Sequence, residues 1–257
     1  MLHRSLCLVA LAIPMATAQA EQVTIKPAGL QIVWDDLKDA FGGFKTFNAE
    51  EGVKLALAVR GTEKKIIGFE KKTSKVAVTD GTNDLDAELG MWNKISDDGK
   101  VMRAEIKTKK LPAADAVGFN VTGSFDVTLA SKTETGTVGP RALKKGDKLE
   151  ISDQFKFEVS EIGKPKWGKE PLEITLKWSR KVPDLAAIRF FNEAGKLIES
   201  SAGGSSRMGF GNKWTVTKSY KLKEKSDIIK IEVDVWVDSE TVTVPVNLKL
   251  NLAGKVK

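Results

Sequence analysis

Apolar and polar residues alternate with a period of two along most of this chain. The clearest runs are residues 53–59, 119–129, 172–178, 229–237 and 242–250. Alternation with this period places one row of side chains in a core and the other row in water, which is typical of antiparallel sheets with one solvated face. The pattern therefore predicts an all-β chain.

Residues that favour turns separate these runs. Asp80-Gly81, Asp97-Asp98-Gly99 and Glu193-Ala194-Gly195 are predicted tight turns, and Asp238-Ser239 lies between the two closing runs. Helical periodicity is weak, and the segment from Trp34 to Phe44 is the main candidate for one short helix or loop turn. Many short strands separated by turns predict β-sandwiches.

A break in the alternation suggests a domain boundary. Glycine and proline interrupt the pattern between Thr135 and Lys148, and a chain of 257 residues suits two domains of ordinary size. We therefore predict two tandem antiparallel β-sandwich domains. The N-terminal domain would span residues 21–141 and the C-terminal domain residues 142–257.

The N-terminal residues have the features of a secretory signal. A short basic start with His3 and Arg4 leads into the apolar run from Leu6 to Ala12, and Ala18-Gln19-Ala20 forms a small-residue cleavage site. We expect residues 1–20 to be a cleaved signal peptide and the protein to be secreted or periplasmic. No later segment approaches the roughly 20 apolar residues of a membrane span, so an integral membrane protein is not expected.

The predicted signal contains the chain's one histidine, His3, and its one cysteine, Cys7. Their removal would exclude Ser-His-Asp and Cys-His catalysis, zinc sites and thiol redox chemistry from the mature protein. We therefore expect no catalytic residues, no cofactor and no metal. A hydrolase that uses two carboxylates remains an alternative, although no sequence motif supports it.

The charge of the chain is positive and unevenly distributed. The formal net charge is +7, of which residues 142–257 contribute +6 and Arg4 contributes the remainder. Most of the basic residues are lysines, whereas arginine is the usual residue for bidentate recognition of phosphate, so nucleic acid is not an expected partner. The alternatives are a solvated lysine-rich surface and weak contact with an anionic envelope polymer or lipid surface.

Two segments have the composition of a ligand site without its spacing. The acidic segment from Asp80 to Glu88 could bind calcium, but it lacks the EF-hand spacing and is also compatible with a solvated loop. The segment from Gly203 to Gly211 is rich in glycine, but it lacks the lysine and helix of a phosphate-binding loop. A flexible edge or a close crossing of strands explains it better.

Three aromatic residues are the candidate ligand-binding residues. Trp236 lies on the polar parity of its strand, Phe191 lies beside Arg189, and Trp167 lies in a lysine-rich loop. Exposed aromatic rings can stack on sugars or anchor a protein interface. The alternative is that these rings pack under loops, against lysine stems or against the other domain.

Four segments form a recognisable set: residues 95–101, 143–146, 206–211 and the closing strands from Asp227 to Leu252. In these segments the chain resembles a broad group of uncharacterised secreted bacterial proteins with tandem immunoglobulin-like domains. The resemblance implies export and tandem sandwiches and attaches no activity. Together with the charge and the aromatics, it predicts a non-enzymatic binding or structural module of the cell envelope. Its partner would be a protein or an envelope polysaccharide, with carbohydrate binding through the aromatics as the alternative function.

Overall fold

The chain forms antiparallel β-sheets throughout the part that the structure describes. This computed structural model describes residues 23–34, 50–91, 93–152, 155–179, 185–210 and 213–252. These residues contain eighteen strands and no helix, which confirms the all-β prediction. They divide into two compact units. The expected signal peptide, and the expected helix apart from Trp34, lie outside the described residues.

The first unit contains two antiparallel sheets. Its strands are β1 (Val23–Val33), β2 (Gly52–Gly61), β3 (Lys65–Phe69), β4 (Lys75–Thr79), β5 (Ala87–Leu89), β6 (Lys94–Ile95), β7 (Val101–Thr108), β8 (Gly118–Ala130) and β18 (Glu240–Asn251). Sheet A has the strand order β1-β2-β7-β5, with β6 also paired to β7, and sheet B has the order β18-β8-β3, with β4 also paired to β8.

The alternating residues of both sheets fill one core in this unit. Leu55 and Leu57 on β2, Met102 on β7 and Phe125 on β8 are fully buried in the same cluster. The ring of Phe69 packs edge-on against Phe125 with the centroids 5.6 Å apart. Burial of these rows is the main stabilising contribution, at roughly 25 cal/mol per Å² of apolar surface removed from water.

The second unit also contains two antiparallel sheets. Its strands are β9 (Thr133–Arg141), β10 (Lys148–Ser152), β11 (Phe155–Gly163), β12 (Leu172–Trp178), β13 (Leu185–Phe191), β14 (Leu197–Ile198), β15 (Ser200–Phe210), β16 (Lys213–Leu222) and β17 (Ile229–Trp236). Sheet C has the strand order β14-β13-β17-β9, and sheet D has the order β10-β11-β12-β16-β15.

Aromatic residues dominate the core of the second unit. Phe155, Phe157 and Trp178 form a cluster on sheet D, in which the rings of Phe157 and Trp178 meet edge-on at 5.4 Å. Phe190 of sheet C is fully buried and lies 5.4 Å from the ring of Tyr220 on sheet D. One apolar cluster therefore joins the inner faces of both sheets.

The structure divides the chain at different positions from those predicted. The second unit comprises residues 130–239, and the strand that begins at Glu240 returns to the first unit. The reason is the pairing of β18, which runs antiparallel to β8 from Glu240 opposite Leu129 to Asn251 opposite Gly118. The two units are therefore nested in sequence, with the second inserted between two neighbouring strands of the first.

The glycine-rich break is a strand within the second unit. Thr133–Arg141 forms β9, which pairs with β17. The two closing alternating runs are not partners of each other, because β17 pairs with β13 and β9 whereas β18 pairs with β8. Alternation identifies which residues are buried, but it does not identify the partner strand.

Two of the predicted turns connect neighbouring paired strands. Asp98 Oδ1 accepts hydrogen bonds from the Ser96 hydroxyl at 2.6 Å and from the Lys100 N–H at 3.0 Å, between β6 and β7. Gly99 supplies the positive φ of +70° that this turn requires. The turn at Glu193-Ala194-Gly195 links β13 to β14 in the same way.

Candidate functional site

A groove with a volume of about 650 Å³ lies over the outer face of sheet D. One side is the loop between β11 and β12, and another is the glycine-containing bulge of edge strand β15. The floor is formed by outward side chains of β11, β12 and β16. The groove is lined by Lys145, Glu161, Ile162, Gly163, Lys164, Lys166, Trp167, Glu173, Thr175, Gly203, Gly204, Ser219 and Lys221.

The alternation of β12 and β16 produces the polar floor. Ile174 and Leu176 are buried in the core, so Glu173 and Thr175 fall on the opposite face of β12. Thr175 lies opposite Ser219 on β16, and their hydroxyl oxygens are 2.8 Å apart in a hydrogen bond. Glu173 lies opposite Lys221, which places a carboxylate and an ammonium group on neighbouring strands.

The loop from Lys164 to Pro171 presents a tryptophan to solvent. Trp167 is 84% exposed, although its own carbonyl oxygen accepts a hydrogen bond from Lys221 Nζ on β16. Pro165 is buried and ties the start of the loop to the unit. The floor of the groove therefore holds the backbone of the Trp167 loop while leaving the indole ring uncovered.

Glycine at position 168 makes room for a buried carboxylate oxygen. Gly168 has φ of +118°, and a Cβ atom there would collide with Glu170 Oε2. This oxygen is buried and has no hydrogen-bond partner among the described residues. Lys221 Nζ would be 3.0 Å from the same Cβ position, so the carboxylate and the ammonium group both border the space beside Gly168.

The bulge in β15 opens the other side of the groove. Ala202 pairs with Tyr220 and Ser205 pairs with Lys218, so Gly203 and Gly204 together oppose the single residue Ser219. A Cβ atom at Gly203 would lie 2.8 Å from Glu173 Oε1. Glycine there leaves space for the Glu173 carboxylate at the groove floor.

The charges of the groove suit an anionic ligand with polar groups. Four lysines and two glutamates line it, together with the hydroxyl groups of Thr175 and Ser219. An ammonium group attracts carboxylate or phosphate as a point charge, without the fixed geometry of arginine. A large, rigid indole ring beside these lysines supplies apolar contact area.

The structure does not bring the three predicted aromatic residues together. Trp167 belongs to the groove on sheet D, whereas Phe191 and Trp236 are half-buried residues of sheet C. Phe191 lies opposite Lys230, and Trp236 lies at the other end of the same strand, opposite Thr133. Trp236 lies six positions after Lys230 along the extended strand β17, a span of roughly 20 Å.

Phe191 and its neighbours belong to a charged network on sheet C. Lys230 Nζ lies 4.4 Å from the centroid of the Phe191 ring and 2.8 Å from Glu232 Oε1. Arg189 donates to both oxygens of Asp234, at 2.6 and 2.9 Å, and its Nε lies 3.5 Å from Glu232. Each charged group in the network has an oppositely charged partner within it, so we interpret the network as stabilising sheet C and not as a binding site.

Ion pairing in this network shifts the protonation equilibria of its members. The hydrogen bonds from Arg189 lower the pKa of the Asp234 carboxyl, and the bond from Lys230 is the main cause of the lowered pKa of Glu232. The bonds to Asp234 raise the pKa of Arg189. These shifts favour the charged forms of Asp234, Glu232 and Arg189.

The acidic segment that could bind calcium contains a carboxylate already engaged by the protein. Asp80 accepts hydrogen bonds from the backbone N–H groups of Thr82, Asn83 and Ala113, at 2.7 to 3.0 Å. The bond from Ala113 is the largest cause of the strongly lowered pKa of Asp80. Among the described residues, no group of three or more acidic, histidine or cysteine side chains is placed to hold a metal ion.

The sequence identified Trp167 and its lysine-rich loop but missed the residues of the groove floor. Glu173, Thr175 and Ser219 occupy polar positions of ordinary strands, and their proximity depends on the pairing of β12 with β16. The glycine-rich segment from Gly203 forms part of an edge strand, as the alternative interpretation expected. Its bulge borders the groove.

Comparison with protein-family models, with curated proteins and with solved structures finds no match to this chain. Within the residues that the structure describes, there is no helix of the length and apolarity needed to cross a membrane. The proposal for function therefore depends on the groove and on the sequence.

Proposed function

We propose that this chain is an exported, non-enzymatic binding module of the cell envelope and that it binds an anionic envelope polymer in the groove on sheet D. The observation that carries the proposal is the position of Trp167. This residue is 84% exposed at the edge of a groove that also contains Lys164, Lys166 and Lys221. The proposal includes a signal peptide at residues 1–20 and an immunoglobulin-like class for both sandwich units.

Exposure of the groove favours an extended ligand over a small enclosed one. Lys164, Lys166, Trp167 and the glycines of the β15 bulge are all exposed. A polymer with repeated carboxylate or phosphate groups could contact several lysines at once, and each contact would be screened by salt over roughly 8–10 Å. The affinity should therefore fall as the salt concentration rises.

The test is a titration of the full chain with polygalacturonate, a soluble anionic polysaccharide. The variant Lys164→Glu/Lys166→Glu should bind at least about tenfold more weakly, equivalent to ~1.4 kcal/mol. The control Lys71→Glu/Lys72→Glu makes the same change in charge on exposed lysines of the first unit and should bind normally. Equal loss in both variants would mean that only net charge matters and would refute the groove as the site.

An anionic lipid surface is an alternative ligand, and the same variants test it by their binding to vesicles. Vesicles that contain phosphatidylglycerol present anionic phosphate on a surface instead of along a chain. Stronger binding to these vesicles than to polygalacturonate, with the same sensitivity to Lys164→Glu/Lys166→Glu, would make a membrane surface the ligand.

Carbohydrate recognition independent of charge is the second candidate function. It is favoured by the exposed Trp167 ring, which lies in one groove with the Glu173 carboxylate and the Thr175 hydroxyl. A tryptophan face packs against sugar C–H groups while carboxylates and hydroxyls bind sugar hydroxyls. In that case a neutral glucan would bind at high salt, Trp167→Ala would abolish binding, and Lys164→Glu/Lys166→Glu would not.

A carboxylate-based hydrolase makes a different prediction for the same groove. Glu161 and Glu173 both line it and would be the two acidic groups required. Incubation of the polymers with the protein should release no reducing ends if the module only binds. Release that disappears in Glu173→Gln would replace the binding proposal with an enzymatic one.

A further inference from the structure

Strand β15 forms one edge of sheet D. It spans Ser200–Phe210 and pairs with β16 on one side, and no described residue pairs with its other side. Residues 200–206 are all exposed, as is Met208. Alternate residues of an edge strand direct their N–H and C=O groups away from the sheet, where an additional strand can bind them.

The other long edge strands each contain a proline, and β15 does not. Pro27 lies in β1, Pro140 in β9 and Pro245 in β18, and each of these strands ends a sheet among the described residues. Proline has no N–H group to donate and therefore protects an edge from pairing. Among the long edge strands of the described residues, β15 is the one with a backbone N–H donor at every position.

One part of β15 is regular enough to accept a strand. The bulge at Gly203 and Gly204 disrupts the pairing near the groove. From Ser205 to Phe210 the strand is continuous and pairs residue by residue with Lys218 to Lys213. A bulge twists an edge away from a potential partner, so the six residues after it are the accessible template.

The hairpin formed by β15 and β16 carries a positive charge, which favours an acidic partner. Residues 200–222 contain four basic residues, Arg207, Lys213, Lys218 and Lys221, and no acidic residue. A second copy of β15 would bring two such hairpins together and be opposed by repulsion between like charges. An acidic segment would be attracted.

We propose that the edge of β15 at Ser205–Phe210 binds an extended acidic segment of a partner protein by strand addition. Backbone hydrogen bonds to β15 would hold the segment, and the basic residues of the hairpin would select acidic over neutral or basic sequences. This inference does not rest on polymer binding in the Trp167 groove. It uses backbone groups on the strand edge, beyond the bulge.

The test uses a fluorescent eight-residue peptide of alternating valine and glutamate and measures its binding to the full chain by anisotropy. Matched peptides replace glutamate with serine or with lysine. We expect the acidic peptide to bind at least about tenfold more tightly than the serine peptide, and the lysine peptide not to bind. Hydrogen exchange should slow at amides within Ser205–Phe210.

Proline substitution separates strand addition from simple charge attraction. Ser205 and Ser206 are neighbours, so the N–H of one points toward β16 and the N–H of the other points away. The variants Ser205→Pro and Ser206→Pro should therefore differ in stability and in peptide binding. The variant that loses the N–H directed toward β16 should have a lower melting temperature. The variant that loses the outward N–H should keep its melting temperature and lose peptide binding.

Three results would overturn the proposal. The first is normal peptide binding by the proline variant that retains stability. The second is loss of binding in the groove variant Trp167→Ala, which would place the peptide in the groove. The third is dimerisation of the unliganded chain through the same amides, without competition from the peptide, which would make a second copy the partner.

Discussion

Asp238 and Ser131 are joined by hydrogen bonds at the place where the chain passes between its two units. The Ser131 hydroxyl donates to Asp238 Oδ2 at 2.6 Å, and the Ser131 N–H donates to Oδ1 at 2.9 Å. The N–H of Lys132 also donates to Oδ1, at 2.9 Å. Ser131 follows β8 and Asp238 precedes β18, so one carboxylate holds together both connections of the inserted unit.

This arrangement predicts a loss of stability in acid that depends on Asp238. The hydrogen bond from the Ser131 hydroxyl is the largest cause that lowers the pKa of Asp238 from 3.8 to about 2. A lowered pKa stabilises the folded state above the ordinary pKa, and this contribution is lost as the pH falls through about 2. Asp238→Asn should be less stable at neutral pH, measured by urea unfolding, and its stability should fall less than that of the wild type between these pH values. Identical pH profiles would contradict the role of Asp238.

The nested arrangement predicts which unit is destabilised by a change in β18. Val244 is 3% exposed and lies opposite Phe125 on β8, so Val244→Asp should destabilise the first unit by several kcal/mol. Hydrogen exchange should accelerate in β2 and β8, while β12 and β16 keep their protection. The control Asn247→Asp introduces a charge at an exposed position of the same strand and should have little effect. Faster exchange confined to β12 and β16 would instead support division of the chain near residue 141.

We predict that the Tyr220 phenol loses its proton only at unusually high pH. It is the one tyrosine of the chain, it is 5% exposed, and its hydroxyl has no hydrogen-bond partner among the described residues. Burial raises the pKa of this phenol well above 10.0. Phenolate absorbance should therefore stay absent at pH 10 and develop only at higher pH or on unfolding, and a normal titration would mean an exposed ring.

We also predict that the substitution Tyr220→Phe is tolerated. A buried hydroxyl without a partner carries a desolvation cost, so Tyr220→Phe should leave the free energy of unfolding unchanged or raise it by about 1 kcal/mol. Urea unfolding measures the change. Because the folded state keeps the phenol proton to a higher pH than the unfolded state does, the wild type should lose stability progressively as the pH rises above about 10, and the variant should lack this loss. A clear loss of stability in Tyr220→Phe would show that the hydroxyl has a partner.

We predict that a substitution at Gly168 alters the groove without unfolding the protein. Alanine at φ of +118° would be strained and would collide with Glu170 Oε2, so Gly168→Ala should displace the Trp167 loop and weaken polygalacturonate binding several-fold. The melting temperature should change little because the loop is exposed. Gly204→Ala is the matched control, since a Cβ atom there would meet nothing within 4 Å. Equal binding by both variants would mean that the conformation of the loop does not matter.

Alternation predicted the buried rows of the strands but not the connections between them. The runs around Phe125 and Val244 are buried as expected, because their side-chain parity is a local property of the sequence. Their pairing with each other was missed, since residues 130–239 lie between β8 and β18. The glycines near residue 140 resembled a linker, although they belong to an edge strand.

Only the part of the candidate site that is continuous in sequence could be predicted. The loop around Trp167 is a continuous segment in which tryptophan and lysine appear side by side. The floor combines Glu173 from β12 with Ser219 and Lys221 from β16, and these strands are separated by β13, β14 and β15. Trp236 and Phe191 were candidates beside Trp167, but they belong to sheet C, whereas the Trp167 loop connects two strands of sheet D.

The most direct test of groove binding is lysine footprinting of the full chain with and without saturating polygalacturonate. Acetylation rates are read for individual lysines by mass spectrometry. If the polymer binds in the groove, Lys145, Lys164, Lys166 and Lys221 should be modified more slowly in the complex, and modification of Lys71 and Lys72 should be unchanged. Uniform protection of lysines in both units, or protection confined to the first unit, would contradict binding in the groove.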